Sequence, residues 1–125
     1  MPGWTSNELT AIAAADELEI APLRADGAQS KLVTIWVVRV GDDLYVRSYR
    51  GVGSSWFRGT QASHQGHVRA GGVDKDVAFI DEADPEVNAQ IDDAYREKYR
   101  RFGPNYVDPM VAEGARAATL KLAPR

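Results

Sequence analysis

Hydrophobic positions alternate or form short β-branched runs in several segments between residues 17 and 80 and follow helical spacing from residue 87 to 102, which distinguishes strands from helices. Thr5-Ser6-Asn7-Glu8 has the form of a capping box, and a short Ala-rich helix is predicted from it to about Ala15. Glu17 to Leu23 alternates like a strand, with Pro22 marking an edge or a bend, and Asp26-Gly27 reads as a turn. Leu32 to Val40 is β-branched and apolar on both faces, which predicts a strand covered on both sides, by a barrel interior on one face and a partner subunit or ligand on the other. Gly41-Asp42-Asp43 turns the chain, and Leu44 to Arg50 returns with Tyr45, Arg47 and Tyr49 sharing one face.

After a Gly51-to-Ser55 loop, Ser54 or Ser55 is placed to cap a short helix through Trp56, Phe57 and Gln61. His67–Ala70 and Val73–Ile80 flank Gly71-Gly72 as a second hairpin. Asp84-Pro85 starts a helix whose apolar stripe is Val87, Ile91, Tyr95, Tyr99 and Phe102, stopped by Gly103-Pro104. Asp108-Pro109 reads as the start of another short helix that Gly114 ends, and Ala118, Leu120 and Leu122 line one face of a last strand. Hairpins dominate and no regular βαβ alternation occurs, so the pattern favours an α+β fold, an antiparallel barrel or half-barrel with peripheral helices, in one domain over residues 1–125.

Charge and composition then narrow the function. A net charge of −3 disfavours a general nucleic-acid binder. The chain has no cysteine, which excludes disulfides and thiolate metal sites and fits a cytoplasmic location. The N-terminus lacks the basic and apolar regions of a secretory signal, and no stretch approaches the ~20 apolar residues of a membrane helix. His64 and His67 are three apart, but the intervening Gln65-Gly66 reads as a loop and not as a helical turn; no nucleophile elbow occurs, and Asp92 and Asp93 are adjacent on a helix and point apart, so neither a metal centre nor an acid–base pair is predicted.

The stretch from Tyr45 to Arg58 carries the chemistry. It joins Arg47 and Arg50 at a strand end to Gly51 and Gly53, the hydroxyls of Ser48, Ser54 and Ser55, and a helix start followed by Trp56. Free N–H groups at a helix start and bidentate arginines suit a phosphate. On this reading Arg47 is a surface residue that contributes to ligand binding and little to folding. Trp36 shares a strand face with Thr34, where a large ring could line a pocket or a dimer seam.

Residues 24–79 resemble the FMN-binding split-barrel group, particularly its deazaflavin-dependent nitroreductase branch. The resemblance rests on Ala25-Asp26-Gly27, Leu32 to Val40, Gly41-Asp42-Asp43, Val46 to Gly51, Ser55-Trp56-Phe57 and Val68-Arg69-Ala70-Gly71-Gly72. The whole chain is also similar to a small uncharacterised bacterial domain-of-unknown-function family. That likeness is carried by Trp4-Thr5-Ser6, Tyr45 to Gly51 and Tyr106-Val107-Asp108-Pro109-Met110. The split-barrel resemblance implies about six antiparallel strands, a homodimer, and FMN or a deazaflavin (coenzyme F-420) at the subunit interface. It places the cofactor phosphate by Arg47, Ser48, Arg50 and Ser55, and the ring system along Val33 to Val37 near Trp36. The sequence departs from the deazaflavin pattern at Arg24 to Lys31, where that branch carries a Gly-Arg-Lys-Ser-Gly turn. The implied function is an oxidoreductase-like protein in which the cofactor carries the hydride. The alternative is a non-catalytic dimeric module for another anionic small molecule. No residue stands out as an essential acid or base; Tyr49 and Tyr106 are the candidate proton donors.

Overall fold

The computed structural model describes residues 3–24, 26–28 and 30–125, so Ala25 of the expected turn lies outside the described residues. Helix α1 (Ser6–Ala14) starts from the capping box: Glu8 N donates to Thr5 Oγ1 at 3.1 Å and Thr5 N to Glu8 Oε1 at 2.9 Å. Strands β1 (Leu18–Pro22), β2 (Val33–Ile35), β3 (Val38–Val40) and β4 (Asp43–Arg47) follow. After α2 (Ser55–Ser63) come β5 (Gln65–Ala70) and β6 (Val73–Asp81). Helices α3 (Pro85–Lys98), α4 (Pro104–Val111) and α5 (Glu113–Arg116) precede β7 (Thr119–Pro124). The strands form one antiparallel seven-stranded sheet in the order β2-β1-β5-β6-β7-β4-β3.

The expected hairpins are present. Val38 pairs with Tyr45 across the Gly41 turn, and Ala70 with Val73 across Gly71-Gly72. The expected single strand from Leu32 to Val40, however, is two strands that serve opposite edges of the sheet. β2 pairs with β1 and β3 pairs with β4, with only Trp36-Val37 between them, so the sheet curls into a split barrel whose edges meet at that bend. This break raises the strand count from six to seven.

Alternation survives the bend. Val33, Ile35 and Val37 join the barrel-interior core with Leu18, Val46 and Leu120, while Trp36, Val38 and Val40 join a second core with Ile91, Tyr95 and Tyr99 of α3 and its C-terminal boundary. The outer face of this segment is therefore covered by the chain's own helix, not by a partner subunit. That removes the premise on which a dimer was expected from sequence.

A bend inside a sheet leaves backbone groups without a ladder partner, and here side chains take them up. Val37 N donates to the Tyr99 hydroxyl at 3.1 Å, the Tyr99 hydroxyl donates to Asp16 O at 2.7 Å, and Lys98 Nζ donates to Val37 O at 2.7 Å. The Trp36 ring stacks on Tyr99, with centroids 3.8 Å apart and planes 1° apart. Burial pushes the Tyr99 phenol up, so the hydroxyl stays protonated and able to donate.

Two glycines permit close approach. A side chain on Gly66 would stand 2.6 Å from Ala21 O, and one on Gly71 (φ +57°) would stand 2.3 Å from Ala11 O, where the second hairpin's tip meets α1. Two helix boundaries differ from the sequence reading. α3 ends at Lys98, and Phe102, expected in the apolar stripe, lies in a 3-10 turn and is 41% exposed. α4 starts at Pro104, which fits the first helical turn, so Pro109 falls inside the helix instead of opening it.

Substituting Tyr99→Phe keeps the stacked ring but strands the buried Val37 N–H. Its expected cost is about 1–3 kcal/mol, read from urea denaturation midpoints.

Candidate functional site

Arg47 ends β4 on the face that α3 covers, and it is 1% exposed. Each of its five N–H groups has an acceptor. Nε donates to Thr119 Oγ1 at 2.9 Å; Nη1 donates to Asp92 Oδ1 at 2.5 Å and Met110 O at 3.0 Å. Nη2 donates to Asn88 O at 3.1 Å and Asn88 Oδ1 at 2.7 Å. The expectation of a surface arginine in a polar loop is thus corrected: the guanidinium is enclosed by α3, α4 and β7, with no donor left over for a ligand. Burial raises the Asp92 carboxyl, but hydrogen bonds from Arg116 and Arg47 outweigh it and hold the group below the usual carboxylate range. The signal for this cluster was in the sequence, because Asn88 and Asp92 are four apart beside the apolar stripe of α3.

The chain emerges at the next residues. Ser48 is buried and its Oγ lies 2.7 Å from Ser54 Oγ, which bridges the strand end to the helix start. Gly51 has φ +75° and packs against Gly114 O. Ser54 caps α2, accepting from Phe57 N at 3.4 Å, so the Ser55 and Trp56 N–H groups of the first turn remain without intrahelical partners. Ser55 is exposed at this start. Trp56 is partly buried against the barrel core, edge-on to Phe57 with ring centroids 6.1 Å apart. Arg50 is exposed, and its Nε donates to the hydroxyl of Tyr49 at 3.0 Å. Tyr49 and Val52 beside it are 61% and 57% exposed, and Tyr106 on α4 is 66% exposed.

Hydrogen bonds tie Ser48, Gly51 and Ser54 into one loop that leads into α2, with Arg50, Ser55 and Trp56 adjacent to them in the chain, whereas Arg47, Thr34 and Trp36 are set apart. Thr34 lines a separate depression with Glu17, Glu19, Arg69 and Asp74. Trp36 is committed to Tyr99. The larger cavity, about 610 Å³, lies between α2, the β6–α3 connection and α5. Its charged lining is Asp81, Glu82, Glu113 and Arg116, and Arg116 is already paired with Asp92, so it is a poor container for an anionic cofactor. Sequence reading identified neither this cavity nor its lining.

On the outer face of the β5–β6 hairpin, His67 sits between two carboxylates. Its Nδ1 is 2.9 Å from Asp76 Oδ1, and its Nε2 contacts Asp74 Oδ1. The hydrogen bond to Asp76 is the main reason its pKa is raised; Asp74 adds to this and partial burial opposes it. Gln65-Gly66, read from sequence as a loop, is the start of β5.

A curled antiparallel sheet closed at a bent strand, with helices on its outer face, defines a split-barrel protein. Solved structures agree. The conserved hypothetical protein Rv2991 from Mycobacterium tuberculosis matches with a TM-score of 0.61 at 14% identity, over 98% of this chain and 82% of that one. HutZ, the heme storage protein from Vibrio cholerae, matches with a TM-score of 0.61 at 14% identity, over 99% of this chain and 92% of that one. An F420 reductase matches with a TM-score of 0.52 at 14% identity, over 93% and 91% of the two chains. At this identity the likeness establishes the fold alone. No curated protein matches the chain in sequence. The profile described as "uncharacterized protein conserved in bacteria" (DUF2255) covers residues 8–122, and the chain belongs to that family. No helix among the described residues is long and apolar enough to cross a membrane.

Substituting Arg47→Ala leaves Asp92 and Asn88 facing a void. The expected loss is about 3–5 kcal/mol, measured by denaturant unfolding. His67 gives a pH dependence of known sign. Its folded pKa lies above the ordinary value of ~6.5, so its stabilisation is complete below that value and disappears as pH rises through the raised one. Thermal midpoints between pH 6 and pH 9 should fall in the parent chain, and this component should be absent from His67→Gln.

Proposed function

We propose that the chain binds a phosphate-bearing flavin-type cofactor, a deazaflavin or FMN, and works as an oxidoreductase-like protein. The observation that carries the reading is the set of open N–H groups at the start of α2, which the chain reaches through a short loop following the exposed Arg50, on a fold also found in an F420 reductase. Helix starts of this kind favour phosphate through unpaired N–H groups and a positive dipole end. Arg50, the Ser55 hydroxyl and the N–H groups of Ser55 and Trp56 would hold the phosphate. Gly51 and the Ser48–Ser54 pair would fix the loop that presents them. The cofactor, when bound, supplies the hydride chemistry. This chain contributes position and charge, and no residue is assigned as acid or base.

The cofactor would lie at the interface of a homodimer. Tyr49 and Val52, exposed apolar side chains that flank Arg50-Gly51 in the chain, support that reading. Light scattering should then give about twice the 13.7 kDa chain mass.

Calorimetric titration of the purified chain with FMN and with the deazaflavin tests the reading. Arg50→Ala should weaken the cofactor that binds by about 1.5–3 kcal/mol. Stability should change by less than about 0.5 kcal/mol, because Arg50 is a surface residue. Tight binding that survives loss of Arg50 moves the site elsewhere. Failure of both cofactors to bind the parent chain favours the non-catalytic module for another anionic small molecule.

A further inference from the structure

The hollow between α2, the β6–α3 connection and α5 takes no part in the anion site, and its walls specify another kind of ligand. Its volume, about 610 Å³, lies in the range of small-molecule sites. Asp81 and Glu82 stand on one wall, where β6 runs out, and Glu113 stands on another, at the start of α5. None of these three carboxylates forms an ion pair among the described residues. Two of them are held by donors that carry no charge. Asp81 Oδ1 accepts from Gln61 Nε2 at 2.9 Å, and Glu82 Oε2 accepts from Asp84 N at 3.3 Å. Such bonds orient a carboxylate without cancelling its charge. Arg116, the one cation among the described residues of the lining, is committed to Asp92.

The rest of the lining sets this hollow apart from an ordinary acidic patch. Phe57, Pro85, Ala89 and Ala117 give it apolar surface. Its buried polar residues, Asn88 and Thr119, are already bonded to Arg47. Carboxylates on open surface are solvated and screened, whereas a cleft with apolar walls concentrates their field and draws in cations. A single metal ion does not match the arrangement, because no group of three or more acidic or histidine side chains among the described residues is disposed to hold one. The negative charge is spread around the hollow instead of converging on a point.

We propose that this hollow binds a linear aliphatic polyamine. Its ammonium groups would meet Asp81, Glu82 and Glu113 in charge-assisted hydrogen bonds. The methylene segments between them would lie against Phe57 and Pro85, where burying apolar surface adds to the attraction. Sign and spacing both favour this class: a polyamine carries its charges at intervals along a flexible apolar chain, and the site offers separated carboxylates on apolar walls.

Calorimetric titration of the folded chain with spermidine at low ionic strength tests the proposal, with NMR shifts recorded over the same titration. The titration contains no flavin, so its result is independent of the anion-site reading. One site is expected, weakening as salt is raised, with shift changes concentrated at Gln61, Ala83, Ala89, Glu113 and Ala117. Asp81→Asn combined with Glu113→Gln should weaken spermidine by about tenfold or more. Asp42→Asn combined with Asp108→Asn removes the same charge from exposed residues outside the lining. That pair should change the affinity by less than about twofold. The NMR map is read on the unaltered chain, so it decides the matter even where a double variant fails to fold. No binding of spermidine by the parent chain would overturn the proposal. So would shift changes scattered over the acidic surface, or equal weakening in the two charge-matched variants, since either result means attraction to net charge alone.

Discussion

The structure depends on one buried cation. Arg47 cannot be left half-satisfied in a dry interior, because an uncompensated charge there costs several kcal/mol. Its acceptors come from α3, α4 and β7, so these three elements and β4 must arrive in one mutual arrangement. Helix α3 then lies across the outer face of the sheet, covering Tyr45 and Val38 and carrying Tyr99 to the bend. The same side chain marks where β4 stops being interior. Ser48 is the last buried residue, Tyr49 the first exposed one, and the loop that reaches α2 begins there.

Much of the fold was legible because its signals are local. The Thr5–Glu8 box, the Gly41 and Gly71-Gly72 turns and the Asp84-Pro85 helix start depend on neighbours in sequence, and each stands where its pattern put it. What was not legible depends on partners far along the chain. The two-faced strand from Leu32 to Val40 has a pattern that fits a partner subunit or an intramolecular helix equally well, and only the packing of α3 decides between them. Arg47 was misread for the same reason. Its acceptors lie 41 to 72 residues away, and alternation indicates a face without saying what covers it.

Charge is distributed unevenly around α2. Its start has open N–H groups and follows the loop that carries the exposed Arg50, while the cavity against Phe57 and Gln61 is rimmed by Asp81, Glu82 and Glu113. An anion approaching this surface is favoured at the helix start and disfavoured in the larger hollow beside it. For an anion, then, the acidic lining outweighs the volume of the hollow, and the helix start offers the better chemistry.

The bend at Trp36-Val37 bears on how this sequence can change length. Short connections between strands usually absorb insertions and deletions, but this one carries inside–outside alternation from one sheet edge to the other without a break. Losing a single residue there would turn Val38 and Val40 toward the barrel interior and Arg39 toward α3. The loop between β1 and β2 carries no such phase relation. Members of the family should therefore vary in length before Val33 and hold a fixed count from Val33 to Val40.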